Sequence, residues 1–386
     1  MMHAIGVSQY GPADNLQSMK IPRPPAPTGR QMRVEIKAVS VNPIDIKVRA
    51  GTYDDPPDYY DHVQSLTQGE APNNLHVMGY DGAGVVRDVG PEVRHFQVGD
   101  EVYFLASPVK QGTYAEELLV DERHAGHKPR SLDFVQAAAM PLTYGTAYES
   151  LVDRLGIQRN EKAGILIING GGGMGSIASQ IARRVLGLPV VITTASRPET
   201  ERFSRDVGGA THVVNHREGD LVQQIRALQK DGLPSDVPLK YAYITSRTEQ
   251  YLAPIGEVLV PFGRVCSIVQ ARFDLYGTQF MSKSLTFVWC WIATGPYHGY
   301  VHDREEKHRE WYEELAALLD AGTVKCHLTQ RRKLTLENIR EAHRATEAGK
   351  GIGKTALGVD EPGEQQAFLL NCSMAFGIEC RTKMGN

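Results

Sequence analysis

The sequence predicts a mixed α/β protein: a β-rich first segment, then a doubly wound parallel sheet. Three observations carry this. Residues 165–168 (ILII) form a continuous apolar run, as a buried parallel strand requires, and lead into four consecutive glycines. Further strand-length runs at 190–194, 212–215, 241–245 and 264–269 alternate with helical segments. Before about residue 130, strand-length pieces are separated by glycine turns instead.

The glycine turn is the most informative stretch. Gly170, Gly172 and Gly175 fall in GxGxxG register, and Ile177, Ile181, Val185 and Leu186 recur behind them at helical spacing. Strand, glycine turn and helix follow in the order a dinucleotide site needs. The first glycine makes the turn, the second lets the backbone approach a pyrophosphate, and the third packs helix on strand. Gly172, Gly173 and Met174 would then offer backbone N–H groups at the positive end of the helix dipole. The second strand runs into Ala195, Ser196, Arg197 and Pro198, with no Asp or Glu to accept from a ribose 2′-OH. Ser196 and Arg197 suit a 2′-phosphate, so NADPH is expected rather than NADH. Thr245 ends a later strand, on the edge where open α/β sheets bind ligands.

At 386 residues the chain suggests two domains. The net charge of −3 comes from well-mixed acids and bases with no basic stripe, so a nucleic-acid partner is not expected. The N-terminus lacks an apolar core of signal-peptide length, and no window is apolar enough for a membrane span. The five cysteines are scattered with no CxxC pair and read as reduced thiols of a cytoplasmic protein.

Taken in order, 2–20 reads as a strand and a Gly-Pro turn, and 32–41 alternates as a half-buried strand. Residues 54–76, rich in Pro and Asp, read as a long surface loop. Residues 136–140 and 143–155 read as helices ahead of the glycine turn. Residues 271–304 are irregular. Residues 305–321 form an amphipathic helix with Trp311, Leu315, Leu318 and Leu319 on one face. Residues 349–358 read as a loop into a short strand, and 362–386 as a loose tail.

VNPID (41–45), GYDGAGVVRDVG (79–90), VGDEVYF (98–104), the glycine turn and GKTALG (353–358) together resemble the medium-chain dehydrogenase/reductase superfamily. They are most similar to its zinc-free quinone oxidoreductase (zeta-crystallin-like) branch, which includes enzymes labelled zinc-type alcohol dehydrogenase-like. The resemblance implies a GroES-like catalytic domain over 1–132 and a Rossmann domain over 133–294. The chain then returns to the first domain over 295–361. It implies NADPH in the cleft between domains, and a homodimer or monomer. Zinc members carry a Cys ligand within the stretch occupied here by 41–45 and a GHE motif where this chain has Gly79-Tyr80-Asp81. Those donors are lost, so no metal is expected.

Without a Lewis acid, hydride needs an activated acceptor such as a quinone or an α,β-unsaturated carbonyl. The expected reaction is NADPH-dependent reduction of such a small molecule, with secondary metabolism as one setting. Asn42 can donate an amide N–H to the forming enolate, and Tyr53 can donate the proton. In related enoyl reductases a Tyr at the position matching Tyr53 has that role. Thr146 matches a family position near the nicotinamide, and Lys354 a basic residue near the cleft. Two alternatives stay open: an alcohol or carbonyl dehydrogenase of the same superfamily, and a nucleotide-binding protein without turnover.

Overall fold

The computed structural model describes residues 1–53, 56–67, 69–299 and 306–361. The expected tail over 362–386, with Cys372 and Cys380, lies outside them.

Among the described residues, six strands form one all-parallel sheet. They are Gly164–Ile167, Val190–Ala195, His212–Asn215, Leu239–Ile244, Arg264–Ser267 and Thr286–Trp289. Across the sheet they run third, second, first, fourth, fifth, sixth, which is the Rossmann order. The apolar run at its centre is buried on both faces. Ile165 and Ile167 face one core, and Leu166 and Ile168 the other. The sixth strand lies in the stretch read as irregular. It is an edge strand whose ends, Thr286 and Trp289, are exposed, and it opens the continuous apolar run 287–293, which has no alternation to mark the strand or its bounds.

A second sheet has seven strands. Its spine is the long strand Gln31–Val41, paired with Asp81–Val89, Glu117–Asp121 and Lys354–Gly358. Lys354–Gly358 comes from the far end of the chain and aligns Thr355 with Val41. This return places Lys354 beside Asn42. The architecture is thus a GroES-like β-rich part joined to a Rossmann-like sheet.

The stretch 54–76 is not a loop. It contains the helix Tyr59–Thr67 and a short turn of helix at Pro72–Asn74. Tyr59 and Val63, one helical turn apart, are buried. The Pro/Asp-rich composition reflects the helix entry and hides this two-residue apolar face. The later helix is Lys307–Asp320, and its buried face includes Tyr312 as well as Trp311, Leu315 and Leu319.

In the glycine turn the left-handed residue is Asn169 (φ 64°), not a glycine. The glycines serve close approach instead. A Cβ on Gly175 would stand 2.0 Å from the Asn169 carbonyl oxygen, so only glycine lets the helix Gly173–Gln180 sit this near the strand end. Gly175→Ala is therefore expected to destabilise the protein by about 2–3 kcal/mol through overpacking, read as a lower urea midpoint. An unchanged midpoint would contradict the packing described.

Candidate active site

A cleft of about 530 Å³ opens between the two sheets. It brings together Asn42, Tyr53, Thr146, Gly172, Gly173, Met174, Thr245 and Lys354, all singled out from the sequence. The other site candidates lie elsewhere. Gly170 and Gly175 sit behind the lining as packing residues. Ser196 and Arg197 follow the strand Val190–Ala195 outside the cleft lining. The Arg197 guanidinium donates to the Lys350 carbonyl (3.1 Å) and pairs with Glu199 (3.1 Å).

The floor of the cleft is a buried polar cluster. Lys354 Nζ donates to the Val41 carbonyl (2.7 Å) and to Asn42 Oδ1 (2.5 Å), and stands 3.5 Å from Asp81 Oδ2. Asp81 accepts from Ser40 Oγ (2.6 Å), Asn42 Nδ2 (2.8 Å) and the Leu142 backbone N–H (2.7 Å). Lys354 is thus a buried residue bonded inside the protein, and not a surface cation. Removing either charge would leave the other buried and unpaired, at a cost of about 3–5 kcal/mol. Asn42 caps the helix Pro43–Ala50, and its backbone N–H donates to Asp45 Oδ2 (2.6 Å). Asp45 Oδ1 has no partner among the described residues. Burial pushes the Asp45 carboxyl up to about 8, and burial lowers the Lys354 ammonium from its ordinary value.

One wall of the cleft is aromatic. The Tyr53 ring stands edge-on to Tyr59 (5.0 Å between centroids) and 6.3 Å from Trp291. Tyr59 shares a hydrogen bond with the Tyr80 hydroxyl (2.7 Å). On the cofactor side, Thr146 is buried and its Oγ1 lacks a partner among the described residues. Thr245 Oγ1 donates to the Ile168 carbonyl (2.7 Å). Gly353 N–H donates to the Gly171 carbonyl (3.0 Å), tying the returning chain to the glycine turn. Unpaired Thr146 and the N–H groups of the glycine turn fit a nicotinamide dinucleotide.

Sequence reasoning missed Trp291, Tyr59 and the part played by Asp81. Asp81 sat in view within GYDG, but its partners arrive from 40, 42, 142 and 354, and no local pattern announces them. Among the described residues, no three His, Cys, Asp or Glu side chains gather as a metal ion would need. No described helix is long and apolar enough to cross a membrane.

The alcohol dehydrogenase GroES-like domain model matches residues 28–130, and the zinc-binding dehydrogenase model matches 208–357. A zinc-type alcohol dehydrogenase-like protein of Staphylococcus aureus (strain MSSA476) is 34% identical over 351 residues, covering 89% of this chain and 96% of its own. The chain belongs to the medium-chain dehydrogenase/reductase superfamily. It is an oxidoreductase of that superfamily, whose members bind a nicotinamide cofactor. A Rhizobium etli protein provisionally described as a zinc-dependent alcohol dehydrogenase shares the fold of this superfamily member. It has a TM-score of 0.81 at 35% identity and covers 94% of this chain and 99% of its own. The Escherichia coli quinone oxidoreductase complexed with NADPH aligns with a TM-score of 0.72 at 25% identity over 92% of this chain and 99% of its own. A 2-methylene-furan-3-one reductase of Solanum lycopersicum is 34% identical over 206 residues, 52% of this chain and 49% of its own.

The buried titratable groups give this medium-chain dehydrogenase/reductase a defined pH response. Burial holds the imidazoles of His76 and His327 down at about 4 and that of His343 at about 3. Between about pH 4 and 6.5 the unfolded chain therefore binds up to three protons that the folded chain does not, and stability rises with pH. Asp45 acts with the opposite sign. It is protonated when folded and ionised when unfolded, so its contribution falls between about pH 4 and 8. Together with His216, also lowered by burial, these imidazoles outweigh Asp45 below pH 6.5; above it Asp45 and His127, whose imidazole is raised chiefly by its hydrogen bond with Glu313, act in the same direction. Urea midpoints at pH 5, 6.5 and 8 are expected to peak at the middle value, with the decline towards pH 8 made smaller by Asp45→Asn and the remainder carried by His127. A midpoint independent of pH would contradict this assignment.

Proposed function

We propose that the protein reduces an activated carbon–carbon double bond or a quinone of a small molecule, using hydride from NADPH and no metal ion. The observation that carries this reading is the Lys354 ammonium. It sits between the stretch 41–45 and Asp81, the two stretches whose counterparts hold ligands in zinc members of the superfamily. An ammonium has no lone pair to offer and repels a divalent cation, and the nearby oxygens already accept its N–H groups. This donor set does not fit zinc.

NADPH, when bound, supplies the hydride. Gly172, Gly173 and Met174 present backbone N–H groups to its pyrophosphate, and the unpaired Thr146 Oγ1 meets the nicotinamide end. Ser196 and Arg197 receive the 2′-phosphate, which draws the guanidinium from its present partners, Glu199 and the Lys350 carbonyl. The acceptor lies against Tyr53 and Trp291. As hydride reaches the carbon β to the carbonyl, charge collects on the carbonyl oxygen. Asn42 donates a hydrogen bond there, and the Tyr53 phenol delivers the proton that completes the reduction. The NADPH-bound quinone oxidoreductase and the furanone reductase among the similar proteins support this choice of substrate class. We further propose that 1–132 with 295–361, and 133–294, are the two domains that meet at the cleft.

The test is a panel of enones, quinones and alcohols with NADPH and NADH, following reduced-cofactor absorbance. Oxidation of NADPH by enones or quinones is expected, with NADH weaker and no reduction of NADP⁺ by alcohols. Tyr53→Phe is expected to lower kcat about 10- to 100-fold. Alcohol oxidation as the main activity, or a Tyr53→Phe variant at the wild-type rate with chemistry rate-limiting, would overturn the reading.

A further inference from the structure

Lys354 matches a basic residue near the cleft in the family, and its ammonium is engaged by acceptors of the cleft floor. The side-chain stem runs beneath the glycine turn, so close that a Cβ on Gly173 would come 2.9 Å from Lys354 Cδ. The ammonium beyond it has three N–H groups. Three acceptors surround it: the Val41 carbonyl, Asn42 Oδ1 and Asp81 Oδ2. This arrangement decides how the Asn42 amide lies. With Oδ1 towards the ammonium, one Nδ2–H reaches Asp81 Oδ2 at 2.8 Å. A flipped amide would set its NH₂ against the ammonium and its carbonyl against the carboxylate, two repulsions in a buried place. Asn42 lines the cleft. In the observed orientation its Nδ2 carries a second N–H besides the one given to Asp81.

We propose that Lys354 is a positioning residue for the reducing step. It fixes Asn42 so that an N–H, and not a carbonyl, meets the substrate oxygen on which charge develops, and it polarises the amide that makes this bond. The proposal rests on the reading of the protein as an enone or quinone reductase with Asn42 as donor. Lys354 then governs turnover through Asn42 and takes no part in holding the cofactor phosphates.

The test compares wild type, Lys354→Met, Asn42→Ala and the double variant. Methionine keeps most of the stem under Gly173 and removes the charge. NADPH dissociation constants are read from the fluorescence of the reduced nicotinamide, and kcat and KM with cyclohexenone or benzoquinone. Lys354→Met is expected to leave the NADPH dissociation constant within about twofold and to lower kcat about 10- to 100-fold, in the range for weakening one oxyanion donor. The double variant is expected to be no slower than Asn42→Ala, because the lysine acts through the asparagine. A dissociation constant raised tenfold or more, or losses that multiply in the double variant, would overturn the proposal. Should thermal melting show Lys354→Met unfolded through its unpaired Asp81, the variant Lys354→Met/Asp81→Asn, which removes both charges, takes its place with the same expectations. Wild-type protein that binds NADPH but reduces no acceptor would sink the reductase reading. The dissociation constants would then decide by themselves whether Lys354 belongs to the cofactor or to Asn42.

Discussion

One buried contact organises this molecule: the Lys354 ammonium held by the Val41 carbonyl and Asn42 Oδ1 beside Asp81. It joins residues more than 300 positions apart in the chain. The strand Lys354–Gly358 must return to the first sheet before the contact exists, and the same return carries Gly353 onto the glycine turn. Sheet pairing, cleft floor and cofactor loop are therefore set by one segment. A charge this deep is tolerated only because oxygen atoms surround it and a carboxylate balances it. The neighbouring Asp45, pushed up to about 8 by burial, adds no second negative charge near neutral pH.

The cleft divides into two chemistries. Its floor is polar and buried, with Lys354 and Asp81 bonded inside it. Its wall of Tyr53, Tyr80 and Trp291 is aromatic. A rigid polar floor suits a developing negative charge, because the donors are oriented before the reaction starts. The aromatic wall rests on Tyr59, and so on the helix Tyr59–Thr67. Tyr297 stacks on Tyr59, 6.2 Å between centroids and 12° between planes. The helix Tyr59–Thr67 thus supports this wall directly.

Much of the fold was legible because its signals are local. The ILII run followed by four glycines is a strand and turn by pattern alone, and the structure places 212–215 as a strand with the same bounds. The edge strand Thr286–Trp289 and the helix Tyr59–Thr67 were not legible. Each buries only part of a short face, so neither leaves a period of useful length. The site divides in the same way. Asn42, Thr146, the glycine turn and Lys354 were visible through motifs, whereas Trp291 and the bonds among Ser40, Asn42, Asp81 and Lys354 were not. Those bonds depend on strand register between distant segments, which no single stretch encodes. Lys354 shows the difference: the motif marked a basic residue near the cleft, and strand register gave it its buried partners.

Following a deuterium label from C4 of NADPH into an enone, in protein treated with a strong chelator and assayed for residual zinc, measures most directly whether this floor works with an ammonium and no metal. Label on the carbon β to the carbonyl, at a rate the chelator leaves unchanged, is the expected result. Turnover that vanishes with the chelator and returns with added zinc would contradict it.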